Sequence, residues 1–494
     1  MWIRKCCLPF LPLLLALCLW GCAAAPLAAE TVPPAAEIAP SAAEALPPVD
    51  TDQAVPAALY YPNAAGSQLV RRTAEVIVEE GQWKAVPLLR RLLEENPGDD
   101  QLSLLFRGRA RLAGVSKGGD LAVVNLRVDT GLLTDHELFN SVIALTNTLT
   151  ENLGVTHVSI LLNGGRMTPS GLLTNPMTRQ TQPLDVLWIL QQAILSGQAV
   201  PSGITTRSPL VLFFQDTTGK YLMPEVQEYT GDGANPALDT LVGLLRGPAN
   251  TSRLVSVAGN VTITPSPEAE RIPGSNGVRI KVWLVSARAS SLDSSALKML
   301  CGAVTLSLFH SVDRVSSVAI FLDGNPVISY QGARISTSGE FTREDFSRLL
   351  GEPMQLYFPD RNGTALVGVS RAMAQSEVWS PEACVRALVE GPMKGDSASV
   401  TYAFPVDATQ ADVLGVYVAE SCAYVNVSAA FAAACRGMEV ARERLMLYSV
   451  VNSLTEMDNI NRVQFLVDGA AVSELGGNFN LSRPLWRNPG LIQN

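Results

Sequence analysis

The apolar and polar positions of the chain repeat in the same order three times. Each copy opens with a short run of apolar and aromatic residues, read as ALYYPNAAG, LVLFFQDTTG and LYFPDRNG. Each run contains an aromatic residue, then Asn or Asp, then Gly. These positions are Tyr61/Asn63/Gly66, Phe214/Asp216/Gly219 and Phe358/Asp360/Gly363. Because Asn and Asp side chains start turns and Gly readily adopts a positive φ, the pattern predicts a strand and a tight turn at the start of each copy.

A helix, further strands and a second helix follow this turn in every copy. The first helix is amphipathic and ends at a proline, in LLRRLLEENPG, LDTLVGLLRGPAN and CVRALVEGPMKG. Gly247 and Gly391 precede that proline in the second and third copies, where the end of a helix favours a residue with positive φ. A closing strand then enters a second turn, at Asn163-Gly164, Asp323-Gly324 and Asp468-Gly469. Each copy is therefore predicted as strand, turn, strand, helix, strands, helix, strand.

Two helices packed on one face of a small mixed sheet bury the apolar sides of both layers. The long helix of the first copy carries the matching apolar stripe of Leu138, Val142, Leu145 and Leu149. With 494 residues, 47% apolar and 17% charged, the chain has the length and composition of several globular domains. The predicted fold class is α+β, with three tandem two-layer modules. The predicted modules are residues 57–180, 207–350 and 351–494, and residues 181–206 form a connecting helix and linker.

The chain begins with a basic and then apolar leader that ends at a cysteine. Arg4 and Lys5 precede an apolar stretch that closes with Gly21-Cys22. This order is typical of a secretion signal, and it resembles the lipobox of bacterial lipoproteins, in which the cysteine is cut free and diacylated. Residues 1–21 are therefore predicted as a lipoprotein signal peptide and Cys22 as the lipidation site. The alternative is an uncleaved membrane anchor, for which the stretch is shorter than the about 20 residues needed.

Residues 22–56 are rich in Ala and Pro and cannot bury enough apolar surface to fold. They are predicted as a disordered tether. No later segment of the sequence is long and apolar enough to be read as a membrane span. Because two acyl chains bind a bilayer stably, the predicted location is the extracytoplasmic face of the cell membrane, with lipid on Cys22 as the anchor.

Charge and cysteine content narrow the function further. The formal net charge of −9 and the lack of basic runs argue against nucleic acid as a partner. Cys301 and Cys384 lie at helical spacing among apolar residues and are predicted in the core. Cys422 and Cys435 bracket a predicted strand, and the sequence leaves open whether they form a disulfide. No pair of cysteines has metal-ligand spacing, so no metal or cofactor is predicted.

The residue types that support catalysis do not recur among the copies. A Ser or Cys nucleophile needs a nearby base, usually His, and His136, His157 and His310 lie at different places in the copies. Glu225 and Glu228 resemble a carboxylate pair, but neither has a counterpart in the other copies. Surface charge explains them better. The sequence therefore predicts a protein without catalytic residues, and not an enzyme.

Several motifs resemble a known family. They are VNSLTE at Val451–Glu456, VNVSAAF at Val425–Phe431, YLMPE at Tyr221–Glu225, FLVDG, and the RGP and EGP helix ends. Together, in this order, they resemble the GerMN domain family of sporulation and spore-germination lipoproteins, in three tandem copies. The resemblance implies a role in sporulation, germination or cell-envelope assembly. It also implies docking to an envelope or sporulation protein complex, or self-association.

Two questions stay open at this stage. Asn147, Glu151, Asn452 and Glu456 on the long helices are read either as a shared contact patch or as residues that satisfy backbone groups, and the second interpretation is preferred. The predicted function is a non-catalytic, lipid-anchored binding or scaffold lipoprotein. The alternative is a lipoprotein that binds peptidoglycan or a small solute in a cleft between modules, with Trp188 of the connecting helix as a candidate contact.

Overall fold

The computed structural model describes residues 53–79, 82–198, 201, 204, 206–228, 233–257, 261–264, 266–286, 292–330, 332–393, 396 and 399–493. The predicted signal peptide, the lipidation site Cys22 and most of the predicted tether lie outside these residues. Residues Val49–Asn494 form one compact unit.

The α+β class with mixed sheets is confirmed. The predicted order of elements repeats three times along the chain, and we keep the name module for each repeat. Module 1 contains strands β1 (Gln53–Pro62), β2 (Leu69–Val78), β3 (Arg111–Gly118), β4 (Leu121–Arg127), β5 (His157–Leu162), β6 (Gly165–Arg166) and β7 (Met177–Thr178). Its helices are α1 (Ala85–Glu94) and α2 (Asp135–Leu153), and the connecting helix α3 spans Leu184–Leu195.

Modules 2 and 3 repeat this order with small additions. Module 2 contains β8 (Leu210–Asp216), β9 (Leu222–Gln227), α4 (Pro236–Arg246), β10 (Leu254–Val255), β11 (Val261–Ile263), β12 (Glu268–Arg271), β13 (Val278–Ser286), α5 (Ser294–Ser311), β14 (Val315–Leu322), β15 (Asn325–Pro326), β16 (Ser329–Tyr330), β17 (Ala333–Arg334) and β18 (Glu340–Phe341). Module 3 contains β19 (Gly351–Pro359), β20 (Leu366–Ala374), α6 (Pro381–Glu390), β21 (Val413–Ala419), β22 (Cys422–Val427), α7 (Ala429–Cys435), α8 (Val440–Leu454), β23 (Arg462–Val467), β24 (Ala470–Ala471) and β25 (Leu485–Trp486).

Each module holds a hairpin sheet and a separate mixed sheet rather than the single sheet that the sequence predicts, and module 2 adds the two-stranded sheet β16–β17. The first two strands pair as a hairpin, as β1–β2, β8–β9 and β19–β20, and the short strand β10 joins the hairpin of module 2. The later strands form the mixed sheet, in which β4 is antiparallel to β3 and parallel to β5. The long helix crosses from β4 to β5, and α5 and α8 make the same crossing in their modules. A parallel pair needs such a crossover connection, which explains why a helix lies between these two strands.

The long helix of module 1 is buried on all sides, not along one stripe. Every residue from Phe139 to Leu149 is buried, including Asn140, Thr146 and Thr148. The helix packs against the hairpin strand β1 and also against β5 of the mixed sheet. A helix between two sheets has no face left for solvent, so its polar residues must find partners inside the protein.

Small polar side chains of the long helices satisfy the free edge of each hairpin. The Tyr60 amide donates to Thr148 Oγ1 at 3.1 Å in module 1. The Phe213 amide donates to Ser307 Oγ, and the Tyr357 amide to Ser453 Oγ, each at 2.9 Å. An unpaired strand edge would leave buried N–H groups without acceptors. The helix therefore replaces the missing neighbour strand at the same position in all three modules.

The predicted turns are confirmed. Gly66, Gly219 and Gly363 have φ of 68°, 79° and 68°. Asp216 Oδ1 accepts from the Tyr221 amide at 2.7 Å, and Asp360 Oδ1 accepts from the Ala365 amide at 2.9 Å. The closing turns place Asn163, Asp323 and Asp468 at φ of 53°, 50° and 47°, which favours Asn and Asp over other residues.

The first hairpin begins earlier than predicted, and the structure also shows where the connecting helix packs. Strand β1 begins at Gln53, so the last residues of the predicted tether belong to the hairpin, where Pro56 pairs with Glu75. The connecting helix α3 packs on module 1, with Trp188 4.7 Å from His136 and 5.3 Å from Phe139, measured between ring centroids.

As far as the structure describes the chain, each of its helices is too short or too polar to cross a lipid bilayer.

The modules contact one another through a few specific side chains. Trp83 of module 1 stacks on Trp379 of module 3 at 5.1 Å, and Lys84 pairs with Asp458 at 2.8 Å. Arg166 of module 1, nearly fully buried, pairs with Asp313 of module 2. The outward face of the module 1 sheet also packs into the core of module 2 through Leu121, Val123 and Leu161.

Candidate functional site

A charged cluster joins the hairpin, the long helix and the segment that follows the short strand β7 in module 1. Glu151, near the end of α2, accepts hydrogen bonds from Tyr60 at 2.5 Å, Arg71 at 2.7 Å and Arg179 at 2.7 Å. Burial opposes ionisation of Glu151, but these three hydrogen bonds outweigh it and lower the pKa of the carboxyl group. The Arg179 guanidinium also lies 5.5 Å from the Tyr60 ring centroid. The cluster is half-exposed and carries a net positive charge.

Module 3 has the same cluster at the corresponding positions. Glu456 Oε1 accepts from the Tyr357 hydroxyl at 2.7 Å and also from Arg487. The Arg487 guanidinium lies 5.5 Å from the Tyr357 ring centroid. Burial lowers the pKa of Arg487, but its contacts with Glu456 outweigh burial and raise it. Tyr60, Glu151 and Arg179 thus correspond to Tyr357, Glu456 and Arg487, and we call these two groups the Tyr–Glu–Arg clusters.

The asparagines on the long helices hold the backbone that leads out of each cluster. Asn147 accepts from the Gln180 amide at 2.9 Å and donates to the Gln180 carbonyl at 2.7 Å. Asn452 makes the same pair with Asn488, at 2.9 Å and 3.0 Å. The preferred interpretation of these asparagines, as residues that satisfy backbone groups, agrees with this geometry. The glutamates differ, since they bind side chains at the surface.

The middle module keeps the arginine of the cluster and replaces the other two residues. The hydrogen bonds from the hairpin edge to Thr148, Ser307 and Ser453 align the long helices, so His310 stands where the outer modules have Glu151 and Glu456. Phe213 replaces the tyrosine and lies 5.2 Å from the His310 ring. Arg343 follows the short strand β18 in module 2, as Arg179 follows the short strand β7 in module 1.

Neighbouring modules cover this position in module 2. Phe213, His310 and Arg343 line a small void of about 20 Å³ together with Lys117 and Val123 of module 1 and Gly351 of module 3. His310 is 2% exposed and its Nδ1 has no hydrogen-bond partner. Burial, with the positive charges of Arg343 and Arg166, lowers the pKa of His310 well below its usual value. A neutral ring fits this covered site, whereas an ionised carboxylate would lose its hydration.

A larger cavity, the central cleft, lies where the three modules meet. Its volume is about 680 Å³. Its lining includes Gly118, Asp120 and His157 from module 1, Thr218, Glu225 and Arg253 from module 2, and Ser370, Arg371 and Asp396 from module 3. Arg371 and Asp396 form a buried ion pair at 2.6 Å. The cleft has the size of a small-molecule site and a mixed polar and apolar lining.

The residues considered for catalysis contact neighbouring groups or are exposed at the surface. Glu225 accepts from the Ala249 and Asn250 amides, each at 2.8 Å, and so holds the loop after α4. Glu228 is exposed. Thr156 Oγ1 lies 2.8 Å from His157 Nδ1, and burial lowers the pKa of His157. Among the residues that the structure describes, no group of three or more His, Cys, Asp or Glu side chains is arranged to hold a metal ion.

The predicted core position of Cys301 and Cys384 is confirmed, since both are fully buried. Cys422 and Cys435, the two candidates for a disulfide, are free thiols in the structure. Cys435 Sγ lies 3.7 Å from Met446 Sδ. Burial raises the pKa of Cys435 to about 12 and also raises that of Cys422, so both thiols hold little thiolate and react slowly.

Sequence reasoning missed the arginines of these clusters. Arg179, Arg343 and Arg487 each stand two residues after an apolar residue of a short strand, which is Met177, Phe341 or Leu485. Met177 and Phe341 are buried, and Leu485 is partly buried. This repeated spacing was a signal available in the sequence. Arg71 had no such signal, because module 2 has Pro224 and module 3 has Gly368 at the corresponding hairpin position.

A comparison with protein families matches two segments of the chain. Residues 58–168 and 355–473 match the model of the Germane family, described as sporulation and spore germination. These segments lie in modules 1 and 3, whereas module 2 has Leu306 in place of Asn147, in addition to its Phe and His. No curated protein sequence matches the chain.

Two solved structures are similar to parts of the chain. The tandem GerMN domains of the sporulation protein GerM from Bacillus subtilis match with 16% identity and a TM-score of 0.26, covering 59% of this chain and 98% of that one. The first GerMN domain of the same protein matches with 24% identity and a TM-score of 0.23, covering 27% of this chain and 97% of that one. Residues 58–168 and 355–473, in modules 1 and 3, are therefore similar to the Germane family of sporulation and spore germination.

Proposed function

We propose that the protein is a non-catalytic lipoprotein, anchored through Cys22 outside the cytoplasm, which binds protein partners in sporulation, spore germination or cell-envelope assembly. One observation carries the binding role. The face of module 2 formed by Phe213, His310 and Pro224 contacts module 1 within the chain. On the corresponding faces of modules 1 and 3, Arg71, Arg179 and Arg487 are partly exposed to solvent. A fold that docks onto a neighbouring module in this way is suited to bind further proteins.

The charge distribution on the outer modules supports this role. Arg71 and Arg179 are 52% and 41% exposed, and Arg487 is 33% exposed. Arginine and tyrosine are enriched at protein interfaces because they combine flat apolar surface with several hydrogen-bond groups. The apolar version of the face is covered in module 2, and the charged versions remain accessible to solvent.

Lipid anchoring is tested by metabolic labelling with an alkyne fatty acid, in cells that express the full chain. We expect label on the wild-type chain and on the Cys18→Ser variant, and none on the Cys22→Ser variant. Fractionation should place the Cys22→Ser variant outside the membrane pellet. Label that persists in Cys22→Ser, or a wild-type chain without label, would contradict the anchor.

The binding role is tested by cross-linking in cells, followed by purification of the wild-type chain and of the variants Arg71→Glu and Arg487→Glu. We expect the variants to lose partners that the wild-type chain retains. A triple variant with Glu225→Gln, Glu228→Gln and His157→Gln serves as the control for catalysis. A phenotype of that control equal to deletion of the gene would favour an envelope hydrolase instead.

The central cleft supports a second candidate function, binding of a peptidoglycan fragment or a small solute. The cavity of about 680 Å³ is large enough for a ligand of this size. Calorimetry of the full-length protein with soluble muropeptides tests it directly. Binding that is lost in Thr251→Trp, which fills the cleft, and retained in Arg71→Glu would support this function.

A further inference from the structure

The outward face of the mixed sheet in module 1 is an interface within the chain. Leu121, Val123 and Leu161 alternate with core residues of module 1, yet they are buried in the apolar core of module 2. The approach is close, since a Cβ atom added at Gly118 would lie 2.2 Å from Pro224 Cγ. The outward sheet face of module 1 therefore packs against the hairpin face of module 2, which contains Pro224 and His310.

Module 3 has the same sheet face with different residues. Ser116 pairs with Val123 in module 1, and Tyr417 pairs with Tyr424 in module 3. Both strand pairs contain the same one-residue irregularity, after Leu112 and after Val413. Tyr417 and Tyr424 therefore occupy the positions of Ser116 and Val123, which contact module 2 in the first module.

The sheet face of module 3 is aromatic and accessible. The Tyr417 and Tyr424 rings stack with 4.7 Å between centroids and 5° between planes. The Arg462 guanidinium lies 5.8 Å from the Trp486 ring centroid, and Trp486 is 59% exposed. The main packing partners of these strands, α6, α8 and β25, all belong to module 3. We call Tyr417, Tyr424, Arg462 and Trp486 the aromatic platform.

We propose that the aromatic platform of one copy of this chain docks onto the hairpin face of module 1 in a second copy. The proposal deepens the proposed binding role and rests on it for the class of partner. In module 2 the hairpin face that receives a sheet consists of Pro224, Phe213, His310 and Arg343. The corresponding face of module 1 consists of Arg71, Tyr60, Glu151 and Arg179.

The two surfaces complement each other chemically. Within the chain, the aliphatic sheet face of module 1 meets the hairpin face of module 2, where Pro224, Phe213 and His310 lie beside Arg343. The aromatic platform instead has ring faces that attract guanidinium groups, and module 1 offers Arg71 and Arg179. The two faces are different surfaces, so the contact is head-to-tail. In a pair of copies, one copy keeps a free platform and the other keeps a free hairpin face of module 1.

Matched variants of the full-length protein test this contact by sedimentation velocity. Arg71 and Arg72 are 52% and 50% exposed but point to opposite sides of strand β2, so Arg72→Glu is the control for Arg71→Glu. Tyr402, 57% exposed and outside the platform, gives the control Tyr402→Ala for Trp486→Ala. We expect self-association to weaken at least tenfold in Arg71→Glu and Trp486→Ala, and to stay within twofold of wild type in both controls.

A photo-cross-linker identifies the occupant of the platform. The full chain with p-benzoylphenylalanine at position 486 is mixed with an isotope-labelled copy, so that links between copies are separated from links within one copy. We expect links to peptides of residues 53–79 or 177–182 of the other copy. A wild-type chain that stays monomeric, links to other regions, or capture of an unrelated protein at position 486 would overturn the proposal. Because Cys22→Ser should still associate, failure here is distinct from failure of the lipid anchor.

Discussion

The indole of Trp83 in module 1 lies parallel to the indole of Trp379 in module 3, with 5.1 Å between ring centroids and 3° between planes. Trp83 is 6% exposed, so the stack is largely shielded from water. Lys84, the next residue, pairs with Asp458 at 2.8 Å. The first and last modules are thus joined directly, although they are distant in sequence.

A double-mutant cycle measures this stack. Trp83→Leu and Trp379→Leu should each destabilise the protein, because a buried aromatic contact is lost. The two effects should not add, and the coupling free energy should be about 0.5–1.5 kcal/mol. Urea unfolding with tryptophan fluorescence and far-UV circular dichroism provides the measurement. Trp83→Leu combined with Trp486→Leu is the control, since the described contacts do not join these residues, and its coupling should be near zero.

The hydroxyl of Ser453 replaces a strand neighbour at the hairpin edge of module 3. It accepts from the Tyr357 amide at 2.9 Å and donates to the Ser449 carbonyl at 2.7 Å. Ser453→Ala should lower the free energy of unfolding by about 1–3 kcal/mol, because a buried amide loses its acceptor. Ser453→Thr should retain most of the stability, since Thr148 does the same in module 1. Native-state hydrogen exchange should show faster exchange of the Tyr357 amide in Ser453→Ala. Equal exchange in both variants would contradict this role.

Local chemistry accounts for the parts of the fold that the sequence predicts well. The turns at Asp216 and Asp360 depend on side-chain contacts with amides four or five residues later, and such contacts are encoded in short motifs. Gly247 and Gly391 have φ of 93° and 84°, as a helix end before proline predicts. Val124, Val282 and Val425 of the predicted core strands are all buried, although β4 does not alternate, because its residues from Leu121 to Val124 are buried on both faces.

The arrangement of the two sheets depends on distant contacts and is not visible in local patterns. The stripe Leu138, Val142, Leu145 and Leu149 predicts one buried side for α2, but Ser141 and Thr148 on other sides are buried as well. Their hydroxyls bond to the Phe106 and Tyr60 amides, which are remote in sequence. His310 is covered by residues of two other modules, so its burial follows from module packing and not from its own helix.

The carboxyl group of Glu352 gives the contact between modules 1 and 3 a dependence on pH. Glu352 is 3% exposed; its Oε1 accepts from the Lys117 amide at 3.1 Å, and its Oε2 has no partner. Burial raises the pKa of Glu352 to about 7, although Lys117 opposes this shift. The unfolded chain releases this proton near pH ~4.5, so the contribution of Glu352 to stability should fall as pH rises from about 4.5 to about 7.

Glu352→Gln removes this titration and keeps the acceptor for the Lys117 amide. The variant should match wild type near pH ~4 and be more stable by up to about 3 kcal/mol near pH ~8, because the wild-type protein must bury a charge there. Chemical unfolding at several pH values provides the measurement. Glu225→Gln is the control for loss of a carboxylate elsewhere in the protein. A stability difference between Glu352→Gln and wild type that does not change with pH would contradict the assignment.

The contribution of His310 to stability should decrease as the pH falls, whereas the contribution of Glu352 decreases as the pH rises. Burial lowers its pKa well below the usual value, and the positive charges of Arg343 and Arg166 contribute in the same direction. As pH falls below about 6.5, the unfolded chain binds a proton that the folded chain does not, so the contribution of His310 to stability should decrease. His310→Leu should remove that part of the decrease in stability at acid pH.

Nitrogen NMR of the imidazole rings provides a direct measurement of the His310 ring, because the sequence contains His136, His157 and His310 and no other histidine. The His310 ring should stay neutral at pH values where the unfolded chain is protonated, and a ring that titrates near pH ~6.5 in the folded protein would contradict its burial between the modules.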